Sequence, residues 1–380
     1  MALNVLVTGG AGFIGSHLCK RLAVDGCRVT VLDCFSPQIH GSEPPPIRLQ
    51  FVDKLVVGDV CDASAVDIAL SGQDVVVHLA AETGTGQSMY ETVRYETVNI
   101  HGTAVLLDGI IRQSGSTVNK VVVAASRAIY GEGAYLCRDH GQVYPVSRKS
   151  QDMEMGDFDP RCPICGEFCT SVPTPESAPY MPSSFYGLTK QVQEQMVLMF
   201  AQTHGKSGAS LRYQNVYGPG QSLKNPYTGI LAIFSNLARE NKDINIFEDG
   251  LESRDFVYID DVVEATCACI YSGFEGVDKF NVGSGVRTTV TEVADQVISH
   301  FGSRSTVRIS GAFRVGDIRH NTADLAHAQT KLGFQPLTDF RSGLREFLTW
   351  AESQEANSEG FEQSLTEMRS RGLLLGEGRG

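Results

Sequence analysis

Short apolar runs separated by helical stretches organise the first half of the chain. Val5–Val7, Val29–Leu32, Leu55–Val57, Val75–Leu79 and Val121–Ala124 are apolar or β-branched nearly throughout, not at alternate positions. Strands covered on both faces read this way, as in parallel sheets. Helix-like segments lie between them, among them Ser16–Ala23, Ser64–Leu70 and Tyr95–Arg112. The alternation predicts an α/β chain with a doubly wound parallel sheet. It breaks between 132 and 180, where Pro145, Pro160, Pro163, Pro173, Pro175 and Pro179 mark an insertion. The rhythm resumes with a helix from Tyr186 to about His204 and a strand Ala209–Tyr213. Residues 218–252 and 284–318 read as mixed α+β.

The first strand runs into Thr8-Gly9-Gly10-Ala11-Gly12-Phe13-Ile14-Gly15 and then a helix. A strand that turns through glycines into a helix presents backbone N–H groups and a helix N-terminus to a pyrophosphate. Gly9 permits the tight turn, Gly12 the close approach of phosphates, and Gly15 the packing of helix on strand. The second strand ends at Asp33, 18 positions after Gly15. A carboxylate there holds the ribose hydroxyls of a dinucleotide and repels an extra phosphate, which favours NAD over NADP. The expected architecture is therefore a Rossmann domain over 1–217 that carries the insertion at about 132–180. A smaller α+β substrate domain follows, mainly within 218–350, with some segments returning to the first. A peripheral tail, 351–380, surrounds a helix Phe361–Arg371.

The 380 residues are 42% hydrophobic and 20% charged, with a net charge of −12 and no basic run. That argues against nucleic acid as a partner. No apolar stretch reaches the roughly 18–20 residues of a membrane span. The chain opens on a core strand instead of a secretion signal, so its ten cysteines fit a reducing cytosol better than disulfides.

Tyr186-Gly187-Leu188-Thr189-Lys190 places a tyrosine and a lysine one turn apart on one helix face. A tyrosine with a pKa of about 10 must shift by roughly 3 units, or about 4 kcal/mol, to act as a base near neutrality. A cation about 4 Å away at an effective dielectric of about 20 supplies that order of energy. Lys190 is one such cation, and an oxidised nicotinamide ring is another. Ser126 follows the strand Val121–Ala124 at its carboxyl end, where open α/β sheets bind ligands. Its hydroxyl can share a hydrogen bond with Tyr186 and a substrate hydroxyl.

Taken in order, Gly9-x-x-Gly12-x-x-Gly15, Asp33, Asp59-Val60, His78-Leu79-Ala80-Ala81, Asn99, Ser126, Tyr186-x-x-x-Lys190, Leu211–Gly220 and Arg254–Val257 resemble the extended short-chain dehydrogenase/reductases of the nucleotide-sugar epimerase/dehydratase type. More narrowly, Ser36–Gly41, Gly86–Tyr90 and the cysteine-bearing insertion resemble the dTDP-L-rhamnose 4-epimerases. The resemblance implies that the loop residues Gly9, Gly12, Phe13, Ile14 and Gly15, together with Asp33, Asp59, Val60, Leu79, Ala80, Ala81, Asn99, Tyr186, Lys190 and Tyr213, contact NAD. It implies a substrate site of Thr85, Gln87, Ser88, Ser126, Asn215, Phe247, Arg254, Arg314 and Asp317. In that site Asn215 and the two arginines hold a diphosphate and Asp317 reaches the nucleotide ribose. It also implies a homodimer through helices 95–112 and 186–203.

The implied activity is 4-epimerisation of a nucleotide-linked hexose, of dTDP-6-deoxy type, by transient oxidation at C4. A UDP-hexose 4-epimerase, a net C4 oxidoreductase and a non-catalytic NAD-binding regulator are the alternatives. Arg127 and Ala128 stand where the family's dehydratases carry an Asp-Glu pair, which argues against loss of water from the sugar. Ser126 and Tyr186 are 60 positions apart, longer than usual for the family, and the insertion accounts for this only if its ends meet. Within it, Cys137-x-x-His140 and Cys162-x-x-Cys165 have the ligand count and spacing of a structural zinc site. Cys169 is an alternative to His140 as the fourth ligand, and free cysteines in a loop are the alternative to a metal.

Overall fold

The computed structural model describes residues 2–41, 50–113, 115–225, 227 and 229–376. Seven parallel strands form the central sheet. Their spatial order is Val277–Val282, Ser207–Tyr213, Lys120–Ser126, Val75–His78, Asn4–Thr8, Arg28–Asp33 and Lys54–Val57. The order reverses beside Asn4–Thr8, which opens a crevice at the carboxyl ends of the strands. Both sheet faces are covered, which is why these strands read as continuous apolar runs. Val5, Val7, Val29 and Val31 bury against Leu18, Leu22 and Val262 on one face. Leu6, Val76, Val121 and Val123 bury against Val66, Leu106 and Val197 on the other. Each such side chain contributes roughly 1.5–3 kcal/mol by leaving water.

The smaller layer is built on Ser253–Tyr258. This strand pairs in parallel with Asn215–Tyr217 and His320–Asn321, and antiparallel with Arg287–Thr289. It aims Arg254 at the crevice. No helix among the described residues is long and apolar enough to cross a membrane.

Three elements differ from the sequence expectation. The helix expected over Tyr95–Arg112 contains a π-helical turn, Glu96–His101, ahead of the helix Gly102–Arg112. Asn99 sits in that turn, and its carbonyl accepts from Thr103 Oγ1 at 2.5 Å. The tail, expected to be peripheral, is an integral part of the fold. Phe361, Leu365 and Met368 recur at i, i+4 and i+7 on the helix Glu359–Ser370, and that stripe buries with Ala312 and Leu374 against Tyr90 and Phe247. Beyond it, Leu374–Leu375 pairs antiparallel with Phe313–Arg314. Residues 377–380 of that tail lie outside the described residues. Third, the insertion, expected to lie outside the core, has buried flanks: Thr174 and Glu176 are 1% and 6% exposed. Its ends meet, because Val172 N donates to Ala134 O at 3.0 Å and Met181 N to Ile129 O at 2.9 Å. The long gap between Ser126 and Tyr186 is thereby closed.

A buried ion pair ties these parts together. Arg212 and Glu194 are both fully buried, on the strand Ser207–Tyr213 and the helix Phe185–Thr203. Arg212 Nε and NH2 donate to the two Glu194 oxygens at 2.9 and 2.5 Å. Arg212 NH1 donates to Tyr130 Oη and to the Glu176 carbonyl. Ser210 and Tyr180 hydroxyls complete the carboxylate shell. Burial pushes Glu194 up, but Arg212 and the two hydroxyls carry it below the ordinary carboxylate range. Arg212→Met leaves that carboxylate buried and unpaired, so it is expected to cost about 3–5 kcal/mol, and the double change with Glu194→Leu to recover much of the loss. Urea denaturation of the three proteins checks this; a single-variant loss below about 1 kcal/mol would contradict it.

Candidate functional site

A cleft of about 890 Å³ opens at the carboxyl ends of the central strands and continues under the smaller layer. On one wall lies the glycine loop. Gly9 has φ +69°, and a Cβ there would stand 2.8 Å from Ala80 N. A Cβ on Gly15 would stand 2.4 Å from Gly9 O. At Gly12, which faces the cleft, a Cβ would only reach 3.2 Å from Gly9 O. Among the described residues no side chain caps the first turn of Phe13–Val24. The N–H groups of that turn thus face the cleft without the side-chain acceptor that a helix start commonly has. Asp33 closes the far end. Its Oδ2 accepts from Ala11 N and its Oδ1 from Phe35 N, both at 2.9 Å. Burial raises its pKa, but His40 and these N–H donors outweigh that and hold it below the usual carboxylate range. An anion-ready helix start with a carboxylate beyond it fits a dinucleotide.

The chemistry-bearing residues meet at the middle of the cleft. Ser126 ends its strand, and its Oγ accepts from Ala128 N at 3.2 Å. Tyr186 starts the long helix, with its N–H held by Ser88 Oγ at 2.9 Å. One turn on, Lys190 Nζ donates to Ala124 O at 2.9 Å. Burial pulls the Lys190 ammonium down to about 7. The Tyr186 phenol is raised by burial, while the Ser126 hydroxyl and the charge of Arg127 act the other way. Arg127 is thus a second cation of this site whose charge favours the phenolate, beside the Lys190 expected from the helical spacing. Behind them, His78 bridges Thr8 Oγ1 and Thr103 Oγ1 at 2.8 and 2.9 Å. Burial, with Lys190 nearby, pulls it down to about 3 and keeps it neutral.

Opposite, Arg254 and Arg314 converge, but on Asp317. Arg314 NH2 donates to Asp317 Oδ2 at 2.7 Å and Arg254 NH2 to Oδ1 at 3.3 Å. Burial raises Asp317, but the two guanidinium groups and Arg148 outweigh it and hold the carboxyl far below its ordinary range. Arg127 Nε donates to Asn215 Oδ1 at 2.8 Å, whereas its NH1 is buried and has no partner. Arg314 Nε is also buried and unpartnered. Three guanidinium groups against one carboxylate leave a cationic wall suited to phosphate oxygens.

Of the residues singled out from sequence, Gly9, Gly12, Phe13, Ile14, Gly15, Asp33, Asp59, Val60, Leu79, Ala80, Ala81, Thr85, Ser126, Tyr186, Lys190, Tyr213, Asn215, Arg254, Arg314 and Asp317 all line the cleft. Four do not. Asn99 is fully buried; its Nδ2 donates to Thr189 Oγ1 and Glu82 O and its Oδ1 accepts from Glu82 N, so it pins the cleft wall from behind. Gln87 is consumed by Gln38 and Glu91. Ser88 holds the Tyr186 N–H and donates to Thr85 O. The Phe247 ring lies 5.3 Å from the Arg314 guanidinium and supports it. The family resemblance singled out these four residues but not the direction in which each side chain points.

The sequence reading missed two contributors. Arg127 counted only as an absent acid, although its position immediately after Ser126 at a strand end was the available signal. Phe361, Ser364 and Met368 also line the cleft, and their spacing was the signal there. Their helix is fastened by Glu367, which accepts from Tyr90 and Tyr227 hydroxyls at 3.0 and 2.9 Å.

Comparison with known proteins agrees with this geometry. The family model described as the NAD dependent epimerase/dehydratase family matches residues 5–150 and 162–283. The dTDP-L-rhamnose 4-epimerase of Burkholderia thailandensis is 42% identical over 349 residues, 91% of this chain and 94% of that protein. The UDP-glucose 4-epimerase of Thermotoga maritima, solved with UDP-glucose, superposes with a TM-score of 0.74 at 30% identity, covering 92% of this chain and 99% of that one. The Thermus thermophilus UDP-glucose 4-epimerase in complex with NAD gives a TM-score of 0.73 at 26% identity, covering 93% and 100%. With its glycine loop, Asp33 and the Ser126–Tyr186–Lys190 group in one cleft, the chain belongs to the NAD dependent epimerase/dehydratase family.

Proposed function

We propose that the protein is a 4-epimerase of a nucleotide-linked hexose, with dTDP-L-rhamnose and dTDP-6-deoxy-L-talose as its substrate pair. The observation that carries the reading is that Ser126, Tyr186 and Lys190 line the same cleft as the glycine loop. The 42% identity to the Burkholderia enzyme supports the choice of sugar. Arg127 and Ala128 at the positions of an acid pair weigh against a dehydratase.

In this reading the glycine loop and the first turn of Phe13–Val24 hold the NAD diphosphate, Asp33 the adenosine ribose, and Asp59 and Val60 the adenine. Leu79, Ala80, Ala81, Tyr213 and Lys190 surround the nicotinamide half. NAD, when bound, would supply a hydride acceptor and donor at C4, so that the sugar would pass through a 4-ketone without net oxidation. Tyr186 Oη takes the C4 hydroxyl proton and returns it, with Ser126 Oγ aligning the two oxygens. Arg127 stabilises the phenolate, and Arg254, Arg314 and Asn215 hold the diphosphate. The small wall Thr83–Gly86 leaves the ketone room to present its other face.

Tyr186→Phe is expected to lower kcat by roughly 10²–10⁴ while bound NAD is retained; activity within a few-fold of wild type sinks the role. Arg127→Met removes a cation beside Tyr186, so the base becomes harder to ionise. The rising limb of the pH–kcat profile is expected to move up by about one unit, with about tenfold lower kcat below it. An unmoved limb speaks against Arg127. The reading as a whole is tested by incubating the enzyme with dTDP- and UDP-hexoses and following C4 by NMR and NADH by absorbance. Inversion of a dTDP-6-deoxy-L-hexose without NADH accumulation is the expected result. Stoichiometric NADH change favours the oxidoreductase, and no inversion with any sugar removes the proposal.

A further inference from the structure

The insertion folds into a small lobe with two hairpin tips and almost no core. Tyr135–Cys137 pairs antiparallel with Gly141–Val143 and with Thr170–Ser171, and Arg161 bridges Phe168. Its buried apolar cluster consists of Tyr135, Cys137, Val143 and Cys162, with Cys169 packed beside it. These few buried side chains offset little of the conformational entropy of ordering the two tips. Yet the two tips meet. Cys137-x-x-His140 forms one and Cys162-x-x-Cys165 the other, and their four ligand atoms all lie within 4.8 Å of one another.

We infer that this lobe is a structural zinc site with Cys137, His140, Cys162 and Cys165 as its four ligands. The distances match a zinc tetrahedron. Cys137 Sγ stands 3.5 Å from His140 Nδ1 and 3.7 Å from Cys165 Sγ, and Cys162 Sγ stands 3.7 Å from His140 Nδ1. With Zn–S near 2.3 Å and Zn–N near 2.0–2.1 Å, tetrahedral edges are about 3.8 Å between sulfurs and about 3.6 Å between sulfur and nitrogen. His140 occupies the fourth position, and Cys169 lies outside the four-atom group, its Sγ directed at Glu167 O. All four positions are filled by protein, which marks a structural site and not a catalytic one.

The family match includes both tips and is interrupted only at 151–161, between them in sequence. Metal would fasten the tips, and so hold in register the two segments that descend to the cleft. One carries Glu132 and Arg148, the other Thr174 and Glu176. Arg148 NH2 donates to the Asp317 carbonyl and its Nε to Glu132.

The test uses the full chain, expressed with added zinc and purified without chelator. Elemental analysis is expected to find about one zinc per chain; less than about a tenth overturns the inference. Cys165→Ser, at an exposed ligand, is expected to lose most of the metal, while Cys169→Ser keeps it. Retention by Cys165→Ser, or loss from Cys169→Ser, overturns the ligand set. Should Cys165→Ser fail to fold, wild-type protein loaded with cobalt(II) decides. Intense tetrahedral d–d bands with thiolate charge transfer support the site, and a weak octahedral spectrum refutes it. None of these readouts depends on the sugar.

Discussion

The Arg212–Glu194 pair is the constraint on which the geometry of the cleft depends. It fixes the helix Phe185–Thr203, which carries Tyr186 and Lys190, to the strand that neighbours Ser126. Through Tyr130 and Glu176 it also fixes the turn after Ser126 and the exit of the insertion. Three segments distant in sequence are therefore held by one guanidinium. Such a pair gives little stability relative to a well-packed apolar replacement. Its value lies in direction: a planar fork with five donors admits one arrangement of its partners.

A second layer of buried polar groups sets where the functional side chains point. Thr8, His78 and Thr103 form a chain of hydrogen bonds beneath the glycine loop. Asn99 and Ser88 fasten the wall and the Tyr186 N–H. On the substrate side, Glu132, Arg148, Glu248 and Arg319 form a buried network behind Asp317. The tail adds a strand to Phe313–Arg314 and so helps to place Arg314. The cleft is thus shaped by contacts from the insertion and the tail as well as by the central sheet.

Much of this was legible in the sequence for a physical reason. A strand buried on both faces must be apolar throughout, and a phosphate-binding turn must use glycine where a Cβ would strike backbone, as at Gly9 and Gly15. Tyr186 and Lys190 share a face because helical spacing requires it. The errors share a cause too. Gln87, Ser88 and Asn99 are polar groups near the cleft in sequence, yet each spends its hydrogen bonds inward. Phe361, Leu365 and Met368 form an apolar stripe that a local reading of a polar, glycine-ended tail passed over.

By itself, the sequence determined the parallel sheet, the dinucleotide loop, the acid at its far end, and the tyrosine–lysine spacing. These follow from short-range rules of period, turn and steric size. Only the tertiary structure decided that Arg127 faces the same cleft as Tyr186, that Arg254 and Arg314 share Asp317, that the tail lines the cleft, and that two distant pairs of cysteine and histidine side chains meet. Those outcomes depend on directions and distances between segments far apart in the chain, which local patterning does not encode.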